Sequence, residues 1–401
     1  MRGMTNKELI EKTTITTDAL AAAGMLNAEQ ADQFIDYVID ETGIKGMARI
    51  IKFKPLQKYI DKINVANRVA VPKEEAVDPG VRRGVTASRL TLEHREIMVP
   101  FEISDITKEE NIEGDSIEQH VIKMMATRAA NNMEEMYWNG NTLGPAALES
   151  DLYEGGSGSL YVKDSLLALF NGFLKNAESG HVVDAAGEAM APSLLSRSLN
   201  AMPNKFRKNK ASMKFFLSPD HEQVYREKVS TRATASGDDM LASVGNVPAF
   251  GVELVPMSLL DSAPQHCENS VANTDGTTAT ALSFGPITDL VLTPTTLGKV
   301  PTAAYISGVD YSVNATAGTW IRLGGGAIGS GATVKATYKT GGQILLTNPQ
   351  NLIICIGRDI RIEKDRNIFR GVWEFAVTIK IWAAIEETDA TVLVKNIAVP
   401  S

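Results

Sequence analysis

The fold turns on one stretch of the chain: Leu90-Thr91-Leu92-Glu93-His94-Arg95-Glu96-Ile97-Met98-Val99-Pro100-Phe101-Glu102-Ile103-Ser104, followed after a polar interval by Ser116-Ile117-Glu118-Gln119 and a run on to Trp138. In its first part Ile97, Val99, Phe101 and Ile103 alternate strictly with Met98, Pro100 and Glu102, the period of a strand with one buried face. Leu90 and Leu92 alternate in the opposite phase. That change predicts a bulge or twist between two parts of one long strand. In the second part the period becomes helical. Ser116 and Gln119 have capping-box spacing, and Ile117, Val121, Met124, Met125, Ala129, Met133, Met136 and Tyr137 keep one apolar side until Asn139-Gly140-Asn141 stops the run. A helix over 116–138 would be about 35 Å long. Its methionines read as core packing.

Upstream, Asp78-Pro79-Gly80 is a turn signal and Arg82-Arg83-Gly84 follows it. With the extended pattern around them, these residues describe a two-stranded excursion over about 67–104 with a charged tip. Such a hairpin is not stable alone in water, so it must lie on another surface. Arg82 and Arg83 at the tip are candidates for ion pairs with that surface, against a plain solvated turn. Glu93, Arg95 and Glu96, at the return of the excursion, join them as candidate contact residues. Further upstream, Thr13 to Ala23 reads as a loose helix or arm, Asn27 to Gly43 as a capped helix, and 48–71 as one or two strands around a short helix.

Downstream of the long helix, Leu143 to Tyr161 is loop-like. Helices are expected at 164–177, at 193–206 and from Pro219 to about Val229, with strands at 213–217 and 251–256. From about Cys267 to Gly342 the chain turns rich in Thr, Ala, Gly and Ser. Short β-prone runs there, separated by glycine turns, describe a small all-β sandwich or barrel. It reads as an insertion, because apolar strands resume at Ile344 to Ile362, Val372 to Ile385 and Thr391 to Ile397.

Composition removes several function classes. The chain has 401 residues and a net charge of −8, which argues against a general nucleic-acid binder, since such proteins need clustered positive charge. Lys205 to Lys210 is a local basic run; a solvated helix end is the plainer reading, and DNA or a neighbouring subunit the alternative. Cys267 and Cys355 lie far apart and suggest free thiols in a reducing cytoplasm. No signal-peptide pattern follows Met1, and no stretch is apolar enough to span a bilayer. The five histidines have no zinc-site spacing. Gly324 to Gly329 lacks the Lys-Ser/Thr and the helix of a phosphate loop, and no nucleophile elbow is present. No catalytic residue, cofactor or metal ligand is assigned.

The order of these elements resembles the major capsid proteins of tailed bacteriophages, the Hong Kong ninety-seven-type fold. Phrases that carry the resemblance are Thr91 to Ser104, Phe215-Phe216-Leu217-Ser218-Pro219, Gly251 to Met257, Ile360 to Asp365 and Val372 to Val377. It implies an α+β phage capsid shell fold with an N-terminal arm at 1–47 and an extended loop at 67–104. A peripheral domain would comprise 48–66, 105–163 and 372–401, with its spine helix at 116–138. An axial domain would comprise 164–266 and 343–371. The insert at 267–342 resembles immunoglobulin-like modules, through Asp310-Tyr311-Ser312-Val313, Gly318 to Leu323 and Gly331 to Lys335. The resemblance further implies assembly with itself into hexamers and pentamers, a portal, and packaged double-stranded DNA held without sequence specificity. It also implies a place in the virion after assembly in the host cytoplasm, and no membrane. A separate scaffolding protein is expected, because only about forty-five residues precede the fold. An encapsulin-type compartment shell, a cytoplasmic hydrolase with an unrecognised site and a carbohydrate-binding surface protein are the rival readings.

Overall fold

A computed structural model describes residues 14–15, 44, 47–53, 55, 57–64, 70, 86–106, 116–144, 146–148, 161–231, 247–294 and 304–399. The helix expected from Asn27 to Gly43 and the turn at Asp78 to Gly84, with Arg82 and Arg83, lie outside them.

The long helix is Ser116–Asn139. Ala129, Met133, Met136, Tyr137 and Trp138 on it are buried, as the helical period requires. They pack on a five-stranded sheet whose strands run Thr14–Ile15, Arg95–Ser104, Val372–Ile385, Leu352–Asn367 and Arg49–Lys52 in spatial order. Ile97 faces Ile379, Val99 faces Val377 and Phe101 faces Phe375 across one antiparallel ladder. All six side chains belong to the core beneath the helix. The Phe101 and Phe375 rings stack with centroids 4.9 Å apart.

The second sheet has six strands in the order Pro248–Ala249, Val252–Pro256, Lys214–Leu217, Gly342–Thr347, Val392–Ile397 and His181–Asp184. Its central strands are apolar on both faces because both are covered. Phe215, Leu217, Ile344, Leu346, Val392 and Val394 pack with helices Pro192–Ala201 and Pro219–Ser230. Phe216, Leu345 and Leu393 face the other way and join the core under the long helix, where the Phe216 ring lies 5.2 Å from that of Trp138. The two sheets are thus fused through one shared core.

Two small three-stranded sheets form between Gln265 and Thr340: Gln265–Val271, Thr333–Thr340 and Ile287–Pro294 in one, and Thr280–Ala281, Thr319–Arg322 and Tyr311–Asn314 in the other. They enclose a separate core around Trp320, Tyr311, Leu292 and Tyr338. Trp320 Nε1 donates to Ser270 Oγ at 2.9 Å, and Tyr311 OH to the Leu290 carbonyl at 2.9 Å, each linking one sheet to the other. Entry and exit are neighbours: the Thr340 N–H donates to Pro264 O at 3.0 Å.

Several expectations are corrected. The helix expected at 164–177 is a turn followed by the short helix Phe173–Ala177. Its break is at Gly172, where a Cβ would stand 2.6 Å from the Tyr137 carbonyl oxygen, so the chain must cross the end of the long helix there as glycine. The helix expected at 193–206 ends at Ala201, because Pro203 holds Met202 in an extended conformation. The short helix expected within 48–71 is absent among the described residues, where strands Arg49–Lys52 and Gln57–Asn64 are seen. The single bulged strand expected through Leu90 to Ile103 is two strands, Thr86–Glu93 and Arg95–Ser104, which pair in different sheets. The expected boundary at 371/372 separates Leu352–Asn367 from Val372–Ile385, yet these pair with each other from end to end. The last strand, Val392–Ile397, expected in the peripheral domain with Val372–Ile385, pairs instead in the six-stranded sheet.

Candidate assembly surface

A two-stranded arm leaves the body of the molecule. Gln57–Asn64 and Thr86–Glu93 pair antiparallel, from Gln57 opposite Glu93 at the base to Asn64 opposite Thr86. Alternation divides its side chains between two faces. On the inner face Leu92 is fully buried at the base with Phe53, Ile353, Cys355 and Ala384, and Ile60 and Leu90 pack against this cluster. His94 is the joint between arm and sheet, its ring stacked on Phe53 with centroids 4.7 Å apart. The outer face is polar and open. Arg89 Nε donates to Asp61 Oδ1 at 2.7 Å and its guanidinium lies 4.9 Å from the centre of the Tyr59 ring. Tyr59 OH donates to Gln57 Oε1 at 2.9 Å, and Gln57 Nε2 to Glu93 Oε1 at 3.0 Å. Among the described residues neither strand of the arm pairs with a third, so each has one unpaired edge. Free strand edges of this kind are templates for pairing with another chain.

Among the described residues, the face of the five-stranded sheet that points away from the long helix is covered only at one end. Ala384 is buried under the arm base, whereas Thr378, Ala376 and Glu374, on the same face of their strand, are half-buried. Met98, opposite Thr378, is 60% exposed. A cleft of about 540 Å³ runs over Met98, Pro100 and Ala376 between the acidic side chains Glu363, Asp365 and Glu374. Beyond it the hairpin of Leu352–Asn367 and Val372–Ile385 ends in a turn that places Ile368 and Phe369 in solvent, at 74% and 101% exposure.

The sequence-assigned contact residues are distributed as follows. Arg82 and Arg83 lie outside the described residues. Glu93 and Arg95 flank His94, with Arg95 Nη2 3.6 Å from Glu93 Oε2. Glu96 faces Lys380 across the ladder, with its carboxylate 3.5 Å from the ammonium. The last three residues are thus brought together at the root of the arm, partly engaged with their own chain. Tyr59, Arg89, Met98 and Phe369 were not singled out from sequence; the alternation of 57–64 with 86–93 was the available signal for the first two.

Among the described residues no group of three or more His, Cys, Asp or Glu is placed to hold a metal. Ser218 Oγ lies 2.6 Å from His221 Nδ1, but both are buried and Ser218 caps the helix that follows. Burial pushes the Cys355 thiol up to about 12, so it is inert at neutral pH. Among the described residues no helix is long and apolar enough to cross a membrane.

No family model matches the chain. A Bacillus subtilis (strain 168) protein described as "Putative prophage capsid protein YqbE" is 28% identical over 389 residues, covering 96% of this chain and 97% of that protein. Among solved structures, "Capsid of native GTA particle computed with C5 symmetry" superposes with a TM-score of 0.51 at 13% identity, over 96% of this chain and 100% of that one. The structure "Gordonia phage Cozz" does so with a TM-score of 0.51 at 10% identity, over 95% of each. The expected α+β capsid shell architecture is therefore the fold of this chain.

Proposed function

We propose that this chain is the major capsid protein of a tailed bacteriophage or prophage, a structural and non-catalytic subunit that assembles with copies of itself into the icosahedral head shell. The observation that carries this is the arm. A two-stranded ribbon with unpaired edges is marginal in water and becomes stable only against another surface. Its buried root at Leu92 and His94 fixes it to the body, so it reaches outward as a strap for a neighbour. If each subunit gives one arm and receives one, the contact is heterologous and closes into rings. Many copies of one modest contact then make a durable shell. The full-length similarity to a prophage capsid protein supports the same reading.

Within it, Glu93, Arg95 and Glu96, with Arg82 and Arg83, belong to the contact between subunits. Pentamers and hexamers form from this chain, a portal and a separate scaffolding protein join during assembly in the host cytoplasm, and the shell is part of the virion. Packaged double-stranded DNA is held without sequence specificity; the net charge of −8 suits a container that does not bind its contents tightly. The residues from Gln265 to Thr340 form an immunoglobulin-like module on the outside of the shell. Support for that comes from its separate core, its two facing sheets and its adjacent entry and exit.

The test is to shorten the arm without disturbing its root. Asp61 and Arg89 are paired neighbours just beyond Ile60 and Leu90, so Lys62 to Ser88 can be replaced by Asn-Gly, which closes a two-residue hairpin. The shortened chain is expected to be folded and soluble and to form no shells. Normal shells by electron microscopy would refute the role of the arm.

A further inference from the structure

Charge is unevenly spread along this chain. From Met190 to Ser218 there are six cations, Arg197, Lys205, Arg207, Lys208, Lys210 and Lys214, and no acid, although the whole chain carries a net charge of −8. Three of the six are answered by carboxylates: Arg197 by Glu188 at 3.1 Å, Lys214 by Glu253 at 2.9 Å and Lys205 by Asp389 at 3.8 Å. Arg207, Lys208 and Lys210 pair with no carboxylate among the described residues. The helix Pro192–Ala201 ends well before Lys208 and Lys210, so a helix dipole does not account for them.

Arg207 is held in place by neutral groups. Its Nη1 donates to the Leu199 carbonyl at 3.3 Å and to Asn200 Oδ1 at 2.9 Å, and its Nη2 donates to Asn204 Oδ1 at 2.6 Å. None of these acceptors is ionised, so the guanidinium keeps its charge, and two of its five N–H donors have no acceptor among the described residues. A fixed guanidinium with open donors suits phosphate oxygens. Lys208 is exposed beside it, and Lys210, also exposed, reaches only the Phe250 carbonyl, at 3.5 Å. The make-up of the patch favours a phosphodiester backbone over an acidic protein. Lysine is depleted in protein–protein contacts, which are built on apolar and aromatic anchors. Here lysines and an arginine alternate with Asn204 and Asn209, and Phe206 is half-buried with the Lys205 ammonium 4.5 Å from its ring centre. Among the described residues from 183 to 270, Phe250 is the one large apolar side chain that is exposed, too little for such an anchor.

We propose that Arg207, Lys208 and Lys210 form a contact for the phosphate backbone of duplex DNA, and that this patch faces the packaged genome inside the shell. Three neutralised phosphates give a weak contact that carries no sequence information, and many copies repeat it around the inner wall. Such a contact locates the duplex near the wall without fixing it there. The proposal rests on the reading of the chain as a shell subunit, and its test separates the two.

The full-length chain is assayed by fluorescence anisotropy against a labelled duplex of about 30 base pairs, both as dissociated subunits and as closed shells. Three neutralised phosphates predict that subunit affinity falls about 40-fold between about 20 and 80 mM salt. Lys208→Gln with Lys210→Gln leaves one, and the fall should shrink to about fourfold. The same charge change made elsewhere, by Lys228→Gln with Lys339→Gln, should keep the full dependence. Closed shells are expected to ignore added duplex, because the patch is enclosed. Duplex held on the outside of closed shells through Lys208 and Lys210, or an unchanged salt dependence in the Lys208/Lys210 variant, would overturn the proposal. So would tighter binding of polyglutamate of equal charge, the mark of a docking site for an acidic protein. Normal shells from a chain whose subunits bind no duplex would overturn the patch and leave the shell reading intact. Duplex binding with the predicted salt dependence by a chain that forms no particles would support the phosphate contact and overturn the shell reading instead.

Discussion

Glu135 and His266 titrate in opposite directions, each because of where its neighbours place it. Burial is the main cause that raises the Glu135 carboxyl to about 7, with Asp164 and Asp261 adding to it. Its neutral form therefore stabilises the fold fully below pH 4.5, and that contribution is lost as pH rises through about 7. Glu135→Gln should raise the melting temperature at pH 8 and leave it unchanged at pH 4.5, a gain on the order of 1–3 kcal/mol at the higher pH. His266 lies between Phe284 and Tyr338 where the insert meets the body, and burial first, then Lys175, lowers its pKa to about 4. Stability from its neutral ring is complete above pH 6.5 and is lost as pH falls through about 4. His266→Gln should therefore narrow the difference in melting temperature between pH 7 and pH 4. Gly342 is the third position with a sharp expectation. A Cβ there would stand 2.1 Å from His221 Cε1, and Ser218 holds that ring by its Nδ1, so the ring cannot swing aside. Gly342→Ala is expected to cost roughly 1–3 kcal/mol, read as a lowered melting temperature.

At the scale of elements, periodicity was a good guide wherever an element has one buried face. The helix at Ser116–Asn139 and the strand at Val372–Ile385 follow the alternation of their apolar residues closely. Errors fall where a local device overrides the pattern. Gly172 breaks the helix expected at 164–177 because backbone passes too close for a side chain, and Pro203 cuts the one at 193–206. Pairing was the hardest feature to read. The phase change between Leu92 and Ile97 was visible, but it marks a change of sheet at His94 rather than a bulge within one strand. The contact candidates were chosen as charge in an extended stretch; the exposure of Met98 and Phe369 was not legible, because exposure within an apolar strand depends on what covers the sheet. The insert supplies this scale's prediction. Its ends meet at Pro264 and Thr340. Replacing Gln265 to Thr340 by a short flexible linker should leave shells that assemble normally under the electron microscope but have a smoother outer surface; loss of assembly would mean that the insert lies within a subunit contact.

Among the described residues, a fused two-sheet body carries the arm, the hairpin that ends at Phe369, and the small sheets of Gln265 to Thr340 with a core of their own. The body is well buried and self-sufficient, with one core joining the long helix to both sheets. The arm and the hairpin end, by contrast, present unpaired edges and apolar side chains that no other described residue covers. That division, a finished body with unfinished projections, is what a subunit of a closed shell requires. The most direct measurement is electron microscopy of the purified full-length chain, with its mass in solution measured alongside. The account predicts regular hollow particles built from many copies. A stable monomer that forms no particles at any concentration or ionic strength tested would contradict it.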